Sequence, residues 1–305
     1  MPQLPLDELQ KIFVARFPDG KVNDLLNKHS TFMIGGAADF FYRVTDMALV
    51  PPLVEFAREH GVKLFVMGSG SNILFHEEGF RGLVLKIEAK GLKVTGDEIE
   101  AEAGVGIATL IQSSLEHDLT GLENWMGLPG TVGGAVRGNA GCNGLETAEI
   151  LKSAKLLDPV SGEIVGVERT FFDFSYREST LKHSNMIVLS AIFKLKKRDF
   201  SKEEQAELVA KYRSVRMTKQ PFGNTTGSFF KNPLPDKPAG MLIDQAGLKG
   251  RMIGKAQISE KHANFFLNTG GATFDEMMSL VRLAQDTVRE KFGIELEPEV
   301  QVVEP

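Results

Sequence analysis

Two glycine-rich stretches hold the groups best suited to chemistry in this chain of 305 residues. The first, Gly68-Ser69-Gly70-Ser71-Asn72, directly follows the apolar run at residues 63–67. Its backbone N–H groups, the Ser69 and Ser71 hydroxyls and the Asn72 amide are all able to bond phosphate oxygens. The second, residues 125–144 (WMGLPGTVGGAVRGNAGCNG), holds seven glycines in the eighteen residues from Gly127 onward, with Pro129 and Thr131 at the first bend. Glycine costs backbone entropy in helices and strands alike, so this run is expected to make a poor helix and a poor strand. Its use is to fold tightly and approach a ligand closely, and N–H groups on consecutive tight turns form an anion-binding nest. Each stretch alone also reads as a plain connection: a strand–strand turn for the first, a buried ligand-free link for the second. Two such loops, each after an apolar element, suit a pyrophosphate-bearing cofactor held from two sides. A dinucleotide fingerprint is a poor match, because Ile73 occupies the third glycine position of G-x-G-x-x-G and no helix start follows.

Composition narrows the classes. A hydrophobic fraction of 42% and a charged fraction of 25% are ordinary for a soluble globular protein, and the length allows two or three domains. Lys+Arg of 35 against Asp+Glu of 40 argues against a nucleic-acid partner. No apolar run approaches the roughly 18 residues that cross a bilayer, so no membrane partner is expected. The opening MPQLPLDELQKIF lacks a basic segment followed by an apolar core and does not read as a signal peptide. Cys142 is the only cysteine, which excludes an intrachain disulfide and a Cys-rich metal cluster. A cytoplasmic location is the default expectation, and no metal site is expected.

The elements that must position these loops read as follows. Leu6, Leu9, Phe13 and Phe17 predict an amphipathic helix over residues 6–17. A strand–turn–strand is expected over residues 29–44, around Gly35-Gly36. A helix follows over residues 46–60, with Asp46 as its cap, Pro51 and Pro52 near its start and Gly61 past its end. Residues 63–67 read as a buried strand, residues 92–103 as a hairpin turning at Thr95-Gly96-Asp97, and residues 106–118 as a helix. Three strands follow Gly144, the first two joined by a turn at residues 158–162, with a polar-aromatic loop (FFDFSYREST) before the third. A charged run near residue 198 begins a helix and reads as a domain boundary. A Pro/Gly/Asn/Thr segment then leads to a short helix at residues 239–246, a strand–turn region ending in ANFFLN, a long helix from Phe274 to Phe292 and a last strand. Strands and helices alternate without a regular βαβ period, which predicts an α+β fold with more than one sheet.

Seven motifs occur in order along nearly the whole chain: TFMIGGAADFF, MGSGSNILF, GLPGTVGGAVRGNAG, SYREST, GSFFKNP, ISEKHANFFLN and LEPEV. Together they resemble the UDP-N-acetylenolpyruvoylglucosamine reductase (MurB) family, flavoenzymes within the vanillyl-alcohol-oxidase-like, FAD-linked-oxidase-like superfamily. The resemblance implies a two-part FAD-binding region plus a C-terminal α+β substrate-binding domain. The division expected is residues 1–85 and 86–198 for FAD and residues 199–297 for substrate, with the strand at 298–305 returning near the first part. It implies non-covalent FAD, NADPH as hydride donor and a small-molecule substrate, UDP-N-acetylglucosamine enolpyruvate. A monomer is expected. Hydride passes from flavin N5 to C3 of the enolpyruvyl ether in this family, and C2 then needs a proton.

The same resemblance gives roles to residues that are unremarkable alone. Ser228 would otherwise read as a turn serine, and it matches the family's proton donor for C2. Arg177 would otherwise read as a surface arginine beside Glu178 or Asp173, and it matches the arginine that grips the substrate carboxylate. Glu299 would otherwise read as a solvated strand carboxylate, and it matches the family's acid; Glu297 is its rival. Lys231 and Asn232 suit the UDP pyrophosphate or the NADPH phosphates, and Tyr176 the sugar pocket. The cofactor set is Gly68, Ser69, Gly70, Ser71, Asn72, Gly127, Pro129, Gly130, Thr131, Gly133, Gly134 and Ala135. His262 reads as a structural hydrogen-bonder.

The chain departs from the common pattern at Ala37, where Pro is commoner, and at Ser69, where Gly is commoner. Arg137-Gly138 places an extra cation before Asn139, and Cys142 reads as a small buried thiol. The short 145–200 and 235–270 regions fit the compact form of the family, without its extra tyrosine-bearing loop. Two rival readings stand beside this one: an FAD-linked oxidase of the same superfamily, which leaves GSFFKNP and LEPEV unexplained, and a non-catalytic nucleotide-sugar or flavin binder, which needs no Ser228, Arg177 or Glu299.

Overall fold

Helices form where apolar residues recur at helical spacing and end where caps allow. Helix α1 (Leu6–Arg16) buries Leu9 and Phe13, has Asp7 and Glu8 in its first turn and ends on Arg16, so both termini suit the helix dipole. Helix α2 (Val50–Glu59) is preceded by a short 3-10 turn at Met47–Leu49, where the Asp46 side chain accepts from Ala48 N at 2.9 Å. Helix α3 (Ile107–Glu116) buries Ile107, Leu110 and Ile111. These coordinates are a computed structural model describing residues 4–305; residues 1–3, part of the opening read as lacking a leader pattern, lie outside the described residues. Among the described residues no helix is long and apolar enough to cross a membrane.

The chain divides into two units, each with its own core. The first takes the residues up to Val22, Phe40–Ser69 and Gly82–Arg216. Its centre is a five-stranded antiparallel sheet in the order Ile164–Glu168, Leu151–Leu157, Ile187–Lys194, Glu98–Glu102, Leu92–Thr95. Alternation sets its faces: Ile99 and Ala101 are buried while Glu98, Glu100 and Glu102 point to the other side. The hairpin at residues 92–103 forms with its turn at Gly96-Asp97. A parallel pair also lies in this unit, with Leu64–Met67 in register from Leu64↔Leu83 to Met67↔Lys86. Only Met67 of that strand is buried, so its first three residues are more exposed than their apolar character predicts.

Three expectations change here. The strand–turn–strand over residues 29–44 keeps only its second half, Ala37–Val44. Before it, Gly35 adopts φ +137°, and a Cβ on Gly36 would lie 1.9 Å from the Glu77 carbonyl oxygen, so close backbone packing replaces the first strand. Second, the glycine-rich stretch does form a helix, α4 (Val132–Gly138). Val132, Ala135 and Val136 are buried, and Gly133 lets the helix approach Ala103, where an added Cβ would stand 3.0 Å from the Ala103 Cβ. Burial of one face outweighs the helix cost of three glycines, Gly133, Gly134 and Gly138. Third, the boundary sits at Arg216/Met217 rather than near residue 198. After the short helix α5 (Thr147–Ile150) and the third strand, the long helix α6 (Lys202–Lys219) begins within the first unit.

One buried side chain explains that boundary. Gln205, on the first turns of α6, donates through Nε2 to Leu119 O at 2.9 Å and to Glu123 Oε1 at 2.7 Å, and Gln205 and Glu123 are 5% and 3% exposed. Gln205→Leu leaves both acceptors buried without that donor, an expected loss of about 2–3 kcal/mol. The urea midpoint of the variant measures it, and a midpoint at the wild-type value would contradict the assignment.

The second unit takes Asn23–Asp39, Gly70–Arg81 and Met217–Pro305. It holds helix α7 (Ala239–Gln245), helix α8 (Phe274–Phe292) and a three-stranded antiparallel sheet of Met252–Ile253, Ala256–Ile258 and Phe266–Asn268. Helix α8 carries complete stop and start signals: Thr273 and Glu276 form a capping box, and Gly293 closes the helix at φ +67°. The last strand, Gln301–Val303, pairs in parallel with Ile73–Phe75, so the chain's end returns beside the segment that follows Gly70. Mixed helices and several sheets make the fold α+β.

Candidate functional site

In the first unit the two glycine-rich loops meet. A Cβ added to Gly68 would lie 2.3 Å from Thr131 Oγ1, a contact no real side chain tolerates, and Thr131 is 7% exposed. Gly127 and Gly130 both have positive φ, +80° and +116°, as a chain turning sharply before α4 requires. Gly134 is different. An added Cβ there would meet nothing nearer than Thr131 Oγ1 at 3.8 Å, so the fold does not demand glycine at that position. A smooth backbone surface at Gly134 beside the Gly68–Thr131 contact fits close approach by a large cofactor. Not every N–H in the run serves a ligand: Val132 N and Gly133 N donate to Val105 O and Ala103 O at 2.9 Å, and Ala135 N to Thr131 O at 2.9 Å. Gly133 and Ala135 therefore contribute shape rather than N–H groups.

Gly68→Ala is expected to weaken FAD retention at least about tenfold, because Thr131 must move from the loop junction. The check is flavin content after dialysis, with far-UV circular dichroism to confirm folding. Adding Thr131→Ala, which removes the clashing Oγ1, should restore part of the flavin. A Gly68→Ala protein with full flavin content would contradict this account.

Arg177 stands at the corner of a tight turn in the same unit. Ser175 and Glu178 exchange both backbone hydrogen bonds, Ser175 N to Glu178 O at 3.2 Å and Glu178 N to Ser175 O at 3.0 Å. Arg177 has φ +58°, a left-handed position that usually takes Gly or Asn. The surroundings hold it there. Its guanidinium donates to Gly141 O at 2.8 Å and lies 3.7 Å from Glu146 Oε1, and Lys182 Nζ donates to the Arg177 carbonyl. Tyr176 is 45% exposed, and the Arg177 guanidinium lies 5.0 Å from its ring centroid. A bulky residue in this backbone region persists only where its surroundings hold it.

Two half-buried arginines were not assigned roles from sequence. Burial lowers the pKa of both Arg137 and Arg216 from the ordinary arginine value. Neither has a carboxylate within ion-pair distance among the described residues. Arg216 packs on Gly127, where an added Cβ would lie 2.6 Å from its Cδ. The signal for Arg216 was weak, since it sits in a helix whose other residues are mostly exposed. Cys142 is half-buried, and burial pushes its thiol pKa up against the pull of Arg216 and Arg177.

The second unit gathers Ser228, Lys231, Asn232, Glu299 and the tail of the first loop. Gly227, at φ +86°, turns the chain into Ser228, which bridges to Phe265. Glu299 N donates to Phe229 O at 2.8 Å, so Ser228 and Glu299 lie on neighbouring extended segments. Asn264, 2% exposed, pins this segment from the other side: Phe230 N donates to its Oδ1 at 3.0 Å and its Nδ2 donates to Phe230 O at 2.8 Å. Sequence alone left Asn264 without a role; its position in a shared motif was the only signal.

Other expected ligand groups have partners inside the chain. Asn72 Nδ2 donates to the Glu299 carbonyl at 3.0 Å, so its amide braces the Glu299 segment. Asn232 Oδ1 accepts from Ala239 N at the start of α7. Lys231 Nζ lies 2.6 Å from Glu297 Oε1, and the backbone of Glu299 bonds to Phe229, the residue after Ser228. His262 bonds within its own motif. Burial lowers its pKa, and its Nδ1 accepts from Asn264 N at 3.2 Å.

Comparison with known proteins gives a consistent result. Residues 38–168 match the FAD binding domain family, and residues 218–303 match the UDP-N-acetylenolpyruvoylglucosamine reductase C-terminal domain family. The chain is 39% identical to a UDP-N-acetylenolpyruvoylglucosamine reductase of Rubrobacter xylanophilus over 94% of its own length and 96% of the relative's. It is 37% identical to that of Caldanaerobacter subterraneus over 99% of each chain. The crystal structure of UDP-N-acetylenolpyruvylglucosamine reductase from Thermus caldophilus superposes with a TM-score of 0.80 at 32% identity, covering 93% of this chain and 99% of that one.

Proposed function

The chain belongs to the UDP-N-acetylenolpyruvoylglucosamine reductase family, and from that membership we propose that Arg177, Ser228 and Glu299 carry its chemistry. It is an FAD-dependent oxidoreductase of peptidoglycan precursor synthesis, acting on a nucleotide-sugar. The specific reaction is reduction of UDP-N-acetylglucosamine enolpyruvate to UDP-N-acetylmuramate with NADPH, in the cytoplasm and as a monomer. Bound FAD supplies the redox link between NADPH and C3 of the enolpyruvyl ether. The Gly68, Ser69, Gly70, Ser71 and Asn72 loop and the residues from Gly127 to Ala135 hold it.

The chain's own residues do the rest. Arg177 grips the enolpyruvyl carboxylate and stabilises the negative charge that spreads into it when C3 gains a hydride. Ser228 gives its hydroxyl proton to C2, a feasible transfer because a C2 carbanion is a strong base. Glu299, on the neighbouring segment, holds the hydrogen-bond network at C2. Lys231, kept in place by Glu297, meets the pyrophosphate. Asn232 and Tyr176 line the remaining substrate contacts. The bulk of the first unit, which runs to Arg216, serves FAD, and the segment from Met217 onward serves the UDP-sugar.

The observation that supports this reading most is the backbone hydrogen bond from Glu299 N to Phe229 O, which sets Ser228 and Glu299 on neighbouring segments inside the region that matches the reductase C-terminal domain. The test is an assay with purified protein, FAD, NADPH and UDP-N-acetylglucosamine enolpyruvate, followed by mass spectrometry. A product two hydrogens heavier than the substrate, formed with equal NADPH loss, is expected. NADPH loss without that product, with oxygen consumed instead, would favour the oxidase reading.

A further inference from the structure

We propose that Glu146 is a resident counter-ion of Arg177 that competes with the carboxylate of the nucleotide-sugar. This inference rests on the placement of Arg177 at that carboxylate. Glu146 Oε1 lies 3.7 Å from the Arg177 guanidinium, and both side chains are largely withdrawn from water, 34% and 20% exposed. Glu146 is not a drifting surface acid. It caps α5, where its side chain accepts from the third residue's N–H and its own N–H donates to Glu149 Oε1 at 2.8 Å. Its other oxygen accepts from Asn139 Nδ2 at 2.8 Å.

Asn139 ties this acid to the arginine's turn. It is wholly buried, ends α4 at φ +43°, and donates through the same Nδ2 to Ser175 O at 2.8 Å, while its Oδ1 accepts from Ala148 N at 3.0 Å. One amide thus fixes the carboxylate and the turn that presents Arg177. Gly141 completes the arrangement. A Cβ there would lie 2.9 Å from both the Arg177 guanidinium and Glu146 Cγ, so glycine is what allows the pair to sit together. Glu178, next to Arg177 in the chain, faces Lys182 and His183 at 3.2 Å each.

A carboxylate held this firmly at 3.7 Å from the guanidinium balances part of its charge. An incoming carboxylate then meets an arginine whose charge is partly balanced, and it is repelled by Glu146 itself. Binding is weaker than Arg177 alone would give. The same balance weakens the hold on the product, which keeps its carboxylate, and favours release.

Equilibrium titration of the FAD-loaded enzyme with UDP-N-acetylmuramate tests this. Glu146→Gln keeps the acceptor for Asn139 and removes the charge, and it should bind about three- to tenfold more tightly. Glu146→Asp keeps the charge and should bind like the wild type. UDP-N-acetylglucosamine, which lacks the carboxylate, should bind both variants equally. A merely structural Glu146 predicts weaker binding in Glu146→Gln, and that result, or no change, would overturn the inference. Arg177→Met in the same titration separates the two ideas. Wild-type affinity in Arg177→Met would sink the assignment of Arg177 itself. Weakened affinity there, with no tightening in Glu146→Gln, would sink only the counter-ion.

Discussion

Ser228→Ala retains its flavin and is bleached by NADPH at the wild-type rate, but its colour returns about 10²–10⁴ times more slowly when UDP-N-acetylglucosamine enolpyruvate is added, the usual weight of a positioned general acid. The split follows from where Ser228 acts. Its proton is needed only after C3 of the enolpyruvyl ether has gained a hydride. Removing the hydroxyl does not disturb the segment that carries it, because the supports are backbone and Asn264 contacts: Phe229 N to Asn264 O at 2.8 Å, Phe230 to both ends of the Asn264 amide, and Glu299 N to Phe229 O. Stopped-flow absorbance of each half-reaction is the measurement. Equal slowing of both halves would mean that Ser228 is structural, and no slowing would remove it as donor.

Arg177→Asn is expected to leave stability within about 1 kcal/mol of the wild type, because Asn tolerates the left-handed backbone at φ +58°. Its kcat/KM for the enolpyruvyl substrate should nevertheless fall about 10²–10³-fold, as when a charge-stabilising donor is lost. Arg177→Lys keeps the charge but not the planar fork, and it should recover only a small part of the loss. The rate of bleaching by NADPH should stay unchanged in both variants. Thermal melts beside steady-state kinetics separate the two effects. An Arg177→Asn enzyme with near-normal kcat/KM would show that the strained turn serves something else.

Much of the fold was legible because local signals agreed with the final packing. Helix α8 shows this best, with Thr273, Glu276 and Gly293 marking its ends and buried residues at helical spacing between them. Helix α4 shows the opposite. Glycine propensity argued against a helix, and the burial of Val132, Ala135 and Val136, which no local window reveals, decided for one. The strand at residues 29–36 failed for a related reason: the Gly36 backbone approaches Glu77, a contact forty-one residues away in sequence.

The site divides in the same way. The glycine loops were legible as places of close approach because residue type alone implies it, and Gly68 needs its hydrogen because Thr131 Oγ1 packs against it. The proposal for Arg177, Ser228 and Glu299 rests on motifs, since each looks ordinary by composition. The groups that hold them in place, Asn139, Glu146 and Asn264, were not legible. Their roles depend on single hydrogen bonds between segments distant in sequence, such as Asn264 to Phe230 and Asn139 to Ser175. The positive φ of Arg177 is likewise a property of a three-dimensional turn.

The central claim is that one bound flavin links NADPH to the enolpyruvyl nucleotide-sugar, and a single anaerobic titration tests it. The purified protein should show the absorbance of oxidised FAD near one equivalent per chain. NADPH should bleach it, and one equivalent of UDP-N-acetylglucosamine enolpyruvate should restore the colour without oxygen. A protein that holds no flavin, or a bleached flavin that only oxygen restores, would contradict the account.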